Sequence, residues 1–220
     1  SLEDGTAQYR LPIGESLVDM NALVGKHIEL KYNDVIHCAN CGVRTKKSWS
    51  GGFCFPCTQV LARCDLCIMR PETCHYHLGT CREPDWGLSN CFAPHIVYLA
   101  NSSGIKVGIT RKTNTPSRWI DQGAVKALII AKVPRRILSG HIEIVLAKEI
   151  SDKTNWRKML LGQVDEVDFS FMRREMIKCI PQDLKQYALY EEEVQSFVYP
   201  VEAVPEKISS HNLDKESEFR

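Results

Sequence analysis

Nine of the ten cysteines fall between residues 38 and 91, and the first four are spaced as two pairs, Cys38-Ala-Asn-Cys41 and Cys54-Phe-Pro-Cys57, with a loop of twelve residues between them. Two such knuckles bring four thiolates to about 2.3 Å from one tetrahedral Zn²⁺ and leave no position for water, so the site they predict is structural. Gly42 and Gly51-Gly52 suit the tight backbone of the knuckles. Lys46, Lys47 and Trp49 lie at the tip of the loop. Cations beside an aromatic can meet phosphate and base, although solvated lysines and a packed tryptophan are the plainer expectation.

A third pair, Cys64-Asp-Leu-Cys67, is followed by Cys74, His75, His77, Cys81 and Cys91, which predicts a second zinc site with more candidates than ligands. Thiolates usually close structural sites, so Cys64, Cys67, Cys81 and Cys91 are the expected set, with Cys74, His75 and His77 as alternatives.

The elements that must position these groups follow from pattern. Over residues 9 to 37, Ile28, Leu30 and Tyr32 alternate with polar neighbours, Asn33-Asp34 supplies a turn, and Val35-Ile36 leads into the first cysteine pair. Short strands carrying the metal module are expected there. Residues 38 to 91 hold few long apolar stretches, so metal must stand in for the missing core.

From residue 95 the pattern becomes α/β. "HIVYLANSSGIKVGIT" (95–110) reads as a hairpin pinched at Asn101-Ser102-Ser103-Gly104. Thr115-Pro116 offers an N-cap and a proline at the first helical position, and Gly123 stops a short helix through Arg118, Trp119 and Gln122. A strand over Ala124 to Val133 is expected next. Pro134 then opens a helix that buries Leu138, Ile142, Val145 and Leu146 and turns Glu143 elsewhere. Residues 153 to 161 and 165 to 179 read as helices, the second burying Phe171, Met172, Met176 and Cys179, and Gln195 to Tyr199 reads as a strand. Residues 201 to 220 are polar and present no closing element.

An aromatic on the first hairpin strand (Tyr98), a glycine on the second (Gly108), an arginine on the next helix (Arg118) and a glutamate on the helix after it (Glu143) stand in an order that resembles the GIY-YIG nuclease superfamily. By position, Val97-Tyr98 stands where the first motif ends in Ile-Tyr, and Lys106-Val107-Gly108 where the second reads Tyr-Ile-Gly. Arg118 matches the superfamily arginine, Glu143 its metal-binding glutamate, and Asn155 falls where an asparagine often follows. The likeness covers about residues 95 to 156 and departs from the motif at Lys106. The stretches "CDLCIMRPETCHYHLGTC", "KVGITR", "RWIDQGA" and "DKTNWRKML" resemble the signatures of an uncharacterised bacterial family, DUF2797, over about residues 30 to 160. The resemblance implies a GIY-YIG-like domain, a small antiparallel sheet flanked by helices. It further implies an endonuclease using Mg²⁺ or Mn²⁺ on DNA or RNA, with Tyr98, Lys106, Arg118 and Glu143 at its catalytic site.

The chemistry stands beside the name. Phosphodiester hydrolysis needs an aligned water, a general acid or base, and positive charge on the developing phosphorane. Arg118 can fork two phosphate oxygens, and Glu143 can give one carboxylate to a Mg²⁺ that otherwise keeps waters. Tyr98 can position the water or accept its proton, and Gly108 admits close approach of phosphate to backbone. Lys106 brings a cation but relays a proton only if its pKa falls. It therefore clamps or activates, or else the protein binds nucleic acid without cutting it. Asp121, one turn beyond Arg118, could orient the arginine or add a ligand, and His95 is a supporting hydrogen bonder. Singly, each is an ordinary residue; their order and spacing carry the expectation.

The formal net charge of +1 conceals an asymmetry. Between residues 95 and 136, Lys106, Arg111, Lys112, Arg118, Lys126, Lys132, Arg135 and Arg136 face one acid, Asp121, so this stretch carries +7 and the remainder −6. Gly108, Arg111, Lys112, Arg135 and Arg136 are the expected nucleic-acid contacts, each neutralised phosphate releasing counterions. The alternative is a solvated face balanced by the acidic C-terminal region.

At 220 residues, 44% hydrophobic and 25% charged, the composition is that of a globular protein with a real core. No apolar run can span a bilayer and no basic-then-apolar leader heads the sequence, so a cytoplasmic protein with reduced, metal-binding thiols is expected. The expected organisation is α+β. A β element spans 1–37, a Cys-rich zinc module 38–94, the GIY-YIG-like domain 95–162, and a helical extension with a final strand and tail 163–220. DNA or RNA is the expected partner, with a protein partner as the alternative, and no membrane.

Overall fold

The computed structural model describes residues 1–29, 31, 34–150 and 155–206. Two small hairpins open the chain, β1 (Leu2–Glu3) with β2 (Thr6–Ala7) and β3 (Arg10–Ile13) with β4 (Ser16–Asp19). The cysteine-rich segment holds β5 (Ile36–His37), β6 (Arg44–Thr45), α1 (Phe55–Val60), a run of 3₁₀ turns and α2 (Pro84–Cys91). Then follow β7 (His95–Asn101), β8 (Ile105–Arg111), α3 (Ser117–Asp121), β9 (Lys126–Val133), α4 (Arg136–Leu146), α5 (Trp156–Leu160), α6 (Phe169–Cys179) and β10 (Gln195–Ser196).

The hairpin foreseen at residues 95–110 is the centre of the molecule. β7 pairs antiparallel with both β8 and β9 in a four-stranded sheet of order β10-β9-β7-β8, which leaves β8 on the edge. Every residue of β7 is buried, as expected of a central strand covered on both faces. On one face Val97, Leu99, Leu128 and Ile130 pack under α4 and α6 through Ile142, Leu146, Met176 and Ile177. On the other, Ile96, Tyr98, Ala100 and Ala127 pack under Trp119, Ile120 and Phe197. Each fully buried aliphatic side chain contributes about 1.5–3 kcal/mol, so the two layers hold the sheet from both sides.

A register shift between Val97 and Tyr98 inserts an extra residue on β9. Ile130 occupies it, and its carbonyl accepts instead from Leu189 N at 2.9 Å. The hairpin turn is itself covered: Asn101 Nδ2 donates to Asp165 O (2.7 Å), and Asn155 N donates to Ser103 Oγ (3.0 Å).

Several local expectations shift for identifiable reasons. Ile28, Glu29 and Lys31 lie in irregular chain, so the strand expected around them is absent there, and Leu30, Tyr32 and Asn33 lie outside the described residues. The N-terminal segment packs on the sheet instead of on the cysteine module: Ala7 is buried beside Phe197, and Tyr9 Oη donates to Ile120 O (3.4 Å). Thr115 Oγ1 donates back to Lys112 O (2.7 Å), so Pro116, not Thr115, stands at the α3 cap. Arg135 caps α4, one residue beyond Pro134.

Asp168 caps the Phe171 amide and starts α6 at Phe169, later than expected. That phase buries Phe169, Met176 and Ile177 and leaves Phe171 half exposed. Asn155 caps α5, and residues 151–154, where that helix was expected to begin, lie outside the described residues, as does the tail 207–220. No helix among the described residues is long and apolar enough to cross a membrane.

Candidate functional site

Tyr98 and Gly108 are directly opposed on β7 and β8, and Ala100 opposes Lys106 one pair further along the same face. Residues paired across an antiparallel ladder share a face, so Tyr98, Lys106 and Gly108 all look toward the α3 side of the sheet. A Cβ on Gly108 would stand 2.6 Å from Tyr98 Oη and 2.7 Å from its Cζ. The tyrosine ring thus lies across the bare backbone of the edge strand, and its hydroxyl reaches the rim of the sheet.

Arg118 and Gln122, one helical turn apart, meet that hydroxyl from the α3 side. With its amide oriented so that both ends are satisfied, Gln122 donates to Tyr98 Oη at 2.9 Å and accepts from Arg118 Nε at 3.3 Å and Nη2 at 3.0 Å. Glu143, half-buried on α4, brings its negative charge near the same hydroxyl and near the Arg136 guanidinium. Burial raises the Tyr98 pKa and the Glu143 charge adds to it, while Arg118 and Gln122 offset part of the rise. Tyr98 is fully buried and therefore a neutral hydroxyl at ordinary pH, able to donate and poor as a phenolate base.

The other hairpin residues divide. Lys106, half-buried, borders a cavity of about 410 Å³ together with Ser103, Gly104, Asn155, Lys158 and Asp165. Asp121 is turned to the Tyr9 and Tyr199 hydroxyls, whose pKa values its charge helps to raise after burial, so Gln122 holds Arg118 in its place. His95 lies on the opposite face from Tyr98. It is fully buried, with Nδ1 2.8 Å from Ala93 O and Nε2 without a hydrogen-bond partner among the described residues.

The basic residues expected at nucleic acid are likewise split. Lys112 and Arg135 are exposed, Arg135 lying over the Phe92 ring at 5.3 Å. Arg111 donates to Asn90 Oδ1 (2.6 Å), and Arg136 turns inward to donate from Nη2 to Ile68 O (2.5 Å). These two tie the hairpin domain to the cysteine module.

In that module the first two knuckles close on one another. Gly42, at φ +70°, donates to Cys38 O, and Ala39 N donates to Gly52 O across the pair. Cys38, Cys41, Cys54 and Cys57 place their sulfurs within 4.8 Å of one another and form a cluster that could hold a metal ion such as zinc. Cys41 Sγ and Cys54 Sγ are 3.8 Å apart. That matches the edge of a tetrahedron with metal–sulfur bonds of about 2.3 Å, roughly 3.8 Å.

Cys54 N points at Cys38 Sγ (3.3 Å) and Asn40 Nδ2 at Cys57 Sγ (3.5 Å), the donors a thiolate centre uses. Backbone donors at Cys41 and Cys54 hold the Cys38 thiol down to about 6. Beside the knuckles, Trp49 is 52% exposed, tilted against Phe55, with Lys47 Nζ 3.9 Å from its ring centroid.

The later cysteines group differently from expectation. Cys64 packs against the first cluster, while Cys67, Cys74, Cys81 and Cys91 line a small cavity with Asp65, His75 and Arg82. His77 is exposed and does not reach that cavity.

The family model described as protein of unknown function DUF2797 matches residues 25–220. The chain belongs to the DUF2797 family. No curated protein and no solved structure matches it. The DUF2797 match takes in both the cysteine module and the hairpin domain, and its description records no reaction. Sequence reading of this DUF2797 chain missed Gln122 as a partner of Arg118, although its position one turn along the same helix is the signal that points to it.

Proposed function

We propose that this protein binds nucleic acid and that its hairpin domain is a divalent-metal-dependent phosphodiesterase, an endonuclease of the GIY-YIG type acting on DNA or RNA. The observation that carries the reading is the chain from Arg118 through Gln122 to Tyr98 at the sheet rim, with the charge of Glu143 reaching the same hydroxyl. A guanidinium held by a glutamine on a short, packed helix is oriented before substrate arrives, which is what stabilisation of a phosphorane requires. Arg118 is exposed and can fork two phosphate oxygens.

Tyr98 accepts from Gln122 and keeps its own proton to donate, so it positions a water or phosphate oxygen and does not act as a base. Lys106, on the same face and next in register, adds positive charge to the phosphate. The half-buried carboxylate of Glu143 fits a hard cation that keeps most of its waters. A Mg²⁺ or Mn²⁺ held there would supply Lewis-acid polarisation of the phosphate.

The complete burial of Tyr98, with lysine at position 106, favours a second reading: a scaffold that grips nucleic acid and does not cut. Salt-dependent binding measured alongside product formation with Mg²⁺ and Mn²⁺ separates the two. Product supports the enzyme, binding alone supports the gripping scaffold, and no binding even at low salt overturns both.

A further inference from the structure

Cys67, Cys74, Cys81 and Cys91 come from four separate segments and line one small cavity of about 20 Å³. That is room for one water-sized sphere or one ion. Cys67 sits in the 3₁₀ turn Leu66–Ile68, Cys74 ends the turn Pro71–Thr73, Cys81 follows the left-handed Gly79, and Cys91 closes α2. Gly87 keeps the way clear, since a Cβ there would lie 3.4 Å from Cys81 Sγ and 3.2 Å from the Tyr76 ring.

Here it is Asp65, Cys67 and His75 whose ligand atoms lie within 4.8 Å of one another, while the four sulfurs are set more widely around the cavity, so Asp65 and His75 compete as ligands. Both are already engaged. Asp65 Oδ2 accepts from Arg82 Nε (2.7 Å) and faces His75 Nε2 (3.4 Å), while its Oδ1 accepts from Cys67 N (3.3 Å). His75 Nδ1 is 2.7 Å from Thr80 Oγ1. This is the arrangement of an outer layer that orients ligands without being one.

Charge points the same way. The Arg136 guanidinium is largely buried against Cys91 and Cys67, and its Nε has no hydrogen-bond partner among the described residues. Beside four neutral thiols its compensation would fall to Glu143 and the Ile68 carbonyl. Four thiolates around a divalent ion carry a net charge of about −2, of which the guanidinium offsets about half.

We infer that Cys67, Cys74, Cys81 and Cys91 form a second closed, structural Zn²⁺ site, with Asp65, Arg82 and His75 behind it and Arg136 as its counter-charge. Cys74 takes the place that spacing alone gave to Cys64. The inference is independent of the phosphodiesterase reading. It has a structural consequence for α4: the turn Pro71–Thr73, between the first two ligands, packs on Gly140, so the ion fixes the module against the helix that carries Glu143.

The test is metal content of the full chain by mass spectrometry, with X-ray absorption at the zinc edge. Wild type and Cys64→Ser should each carry about two Zn²⁺ per chain, Cys74→Ser about one, and Cys74→His about two, because imidazole can replace thiolate. The wild-type absorption spectrum, which needs no variant to fold, should show sulfur alone around zinc. Loss of an ion in Cys64→Ser, retention of both in Cys74→Ser, or a nitrogen or oxygen shell in wild type would each overturn the assignment.

Discussion

Gly108 faces Tyr98 across the hairpin so closely that any β-carbon on it would collide with the tyrosine hydroxyl, 2.6 Å away. The missing side chain is therefore the space that Tyr98 occupies, and it accounts for how a fully buried residue of a central strand presents its polar end at the sheet edge. Gly108→Ala should destabilise the fold by about 1–3 kcal/mol through overpacking. Adding Tyr98→Phe should recover part of that loss by removing the nearest atom. Urea unfolding of the two single variants and the double variant measures the coupling, and strict additivity would contradict the contact.

Chelation should strike the first cysteine cluster hardest. Its sulfurs join β5, β6 and α1, which share only a small apolar cluster around Phe53 and Leu61. Structural zinc in such modules contributes on the order of 10 kcal/mol of binding free energy, much of it spent on folding. Thermal unfolding with and without chelator should show a lower midpoint without metal. Cys54→Ser should show that lower midpoint even with zinc present, and an unchanged midpoint in both would argue against a metal centre.

His95 makes stability depend on pH. Burial first, then the charges of Arg136 and Arg111, lower its pKa to about 4 although Nδ1 pairs with the Ala93 carbonyl. Unfolded, it titrates near 6.5, so between about pH 6.5 and 4 the unfolded chain binds the extra proton. The stabilising contribution is thus complete above about pH 6.5 and is lost as pH falls through that window, by on the order of 3 kcal/mol. The difference in unfolding free energy between wild type and His95→Gln should shrink on acidification across this range. A difference that stays constant would mean that His95 is not held neutral.

Gly140→Ala tests how the module meets α4. In an exposed helix interior this change stabilises by up to about 1 kcal/mol. Here a Cβ would stand 2.7 Å from Pro71 Cβ and 2.8 Å from Glu72 N, so the change should destabilise. A gain in melting temperature would show that the turn Pro71–Thr73 does not sit on the helix.

What was legible in the sequence was local. The hairpin, the strand leading to Val133 and the α4 stripe follow from apolar periodicity, and the first four cysteines follow from paired spacing that one ion satisfies. What was hidden depends on contacts distant in sequence. Cys64 and Cys67 form a CxxC pair, yet the chain turns between them, so one faces Phe53 and the other faces Cys91. Arg136 reads as a surface cation beside Arg135, but the first turn of α4 aims it at Ile68 O, 68 residues back. Phe171 looked buried because the start of α6 was placed too early, and Asp168 sets the phase. The N-terminal strands gave no sign that they would pair with Val198.

On the proposed function, Arg118 and Glu143 act on one phosphate at the rim of the sheet beside the buried Tyr98 hydroxyl. The direct measurement is single-turnover cleavage of DNA and RNA in Mn²⁺ by wild type, Arg118→Ala and Glu143→Ala, each verified as folded. Wild type should give product, and either variant should lose at least about 100-fold, the scale of removing one preorganised group from a charged transition state. Equal rates in all three proteins would contradict it.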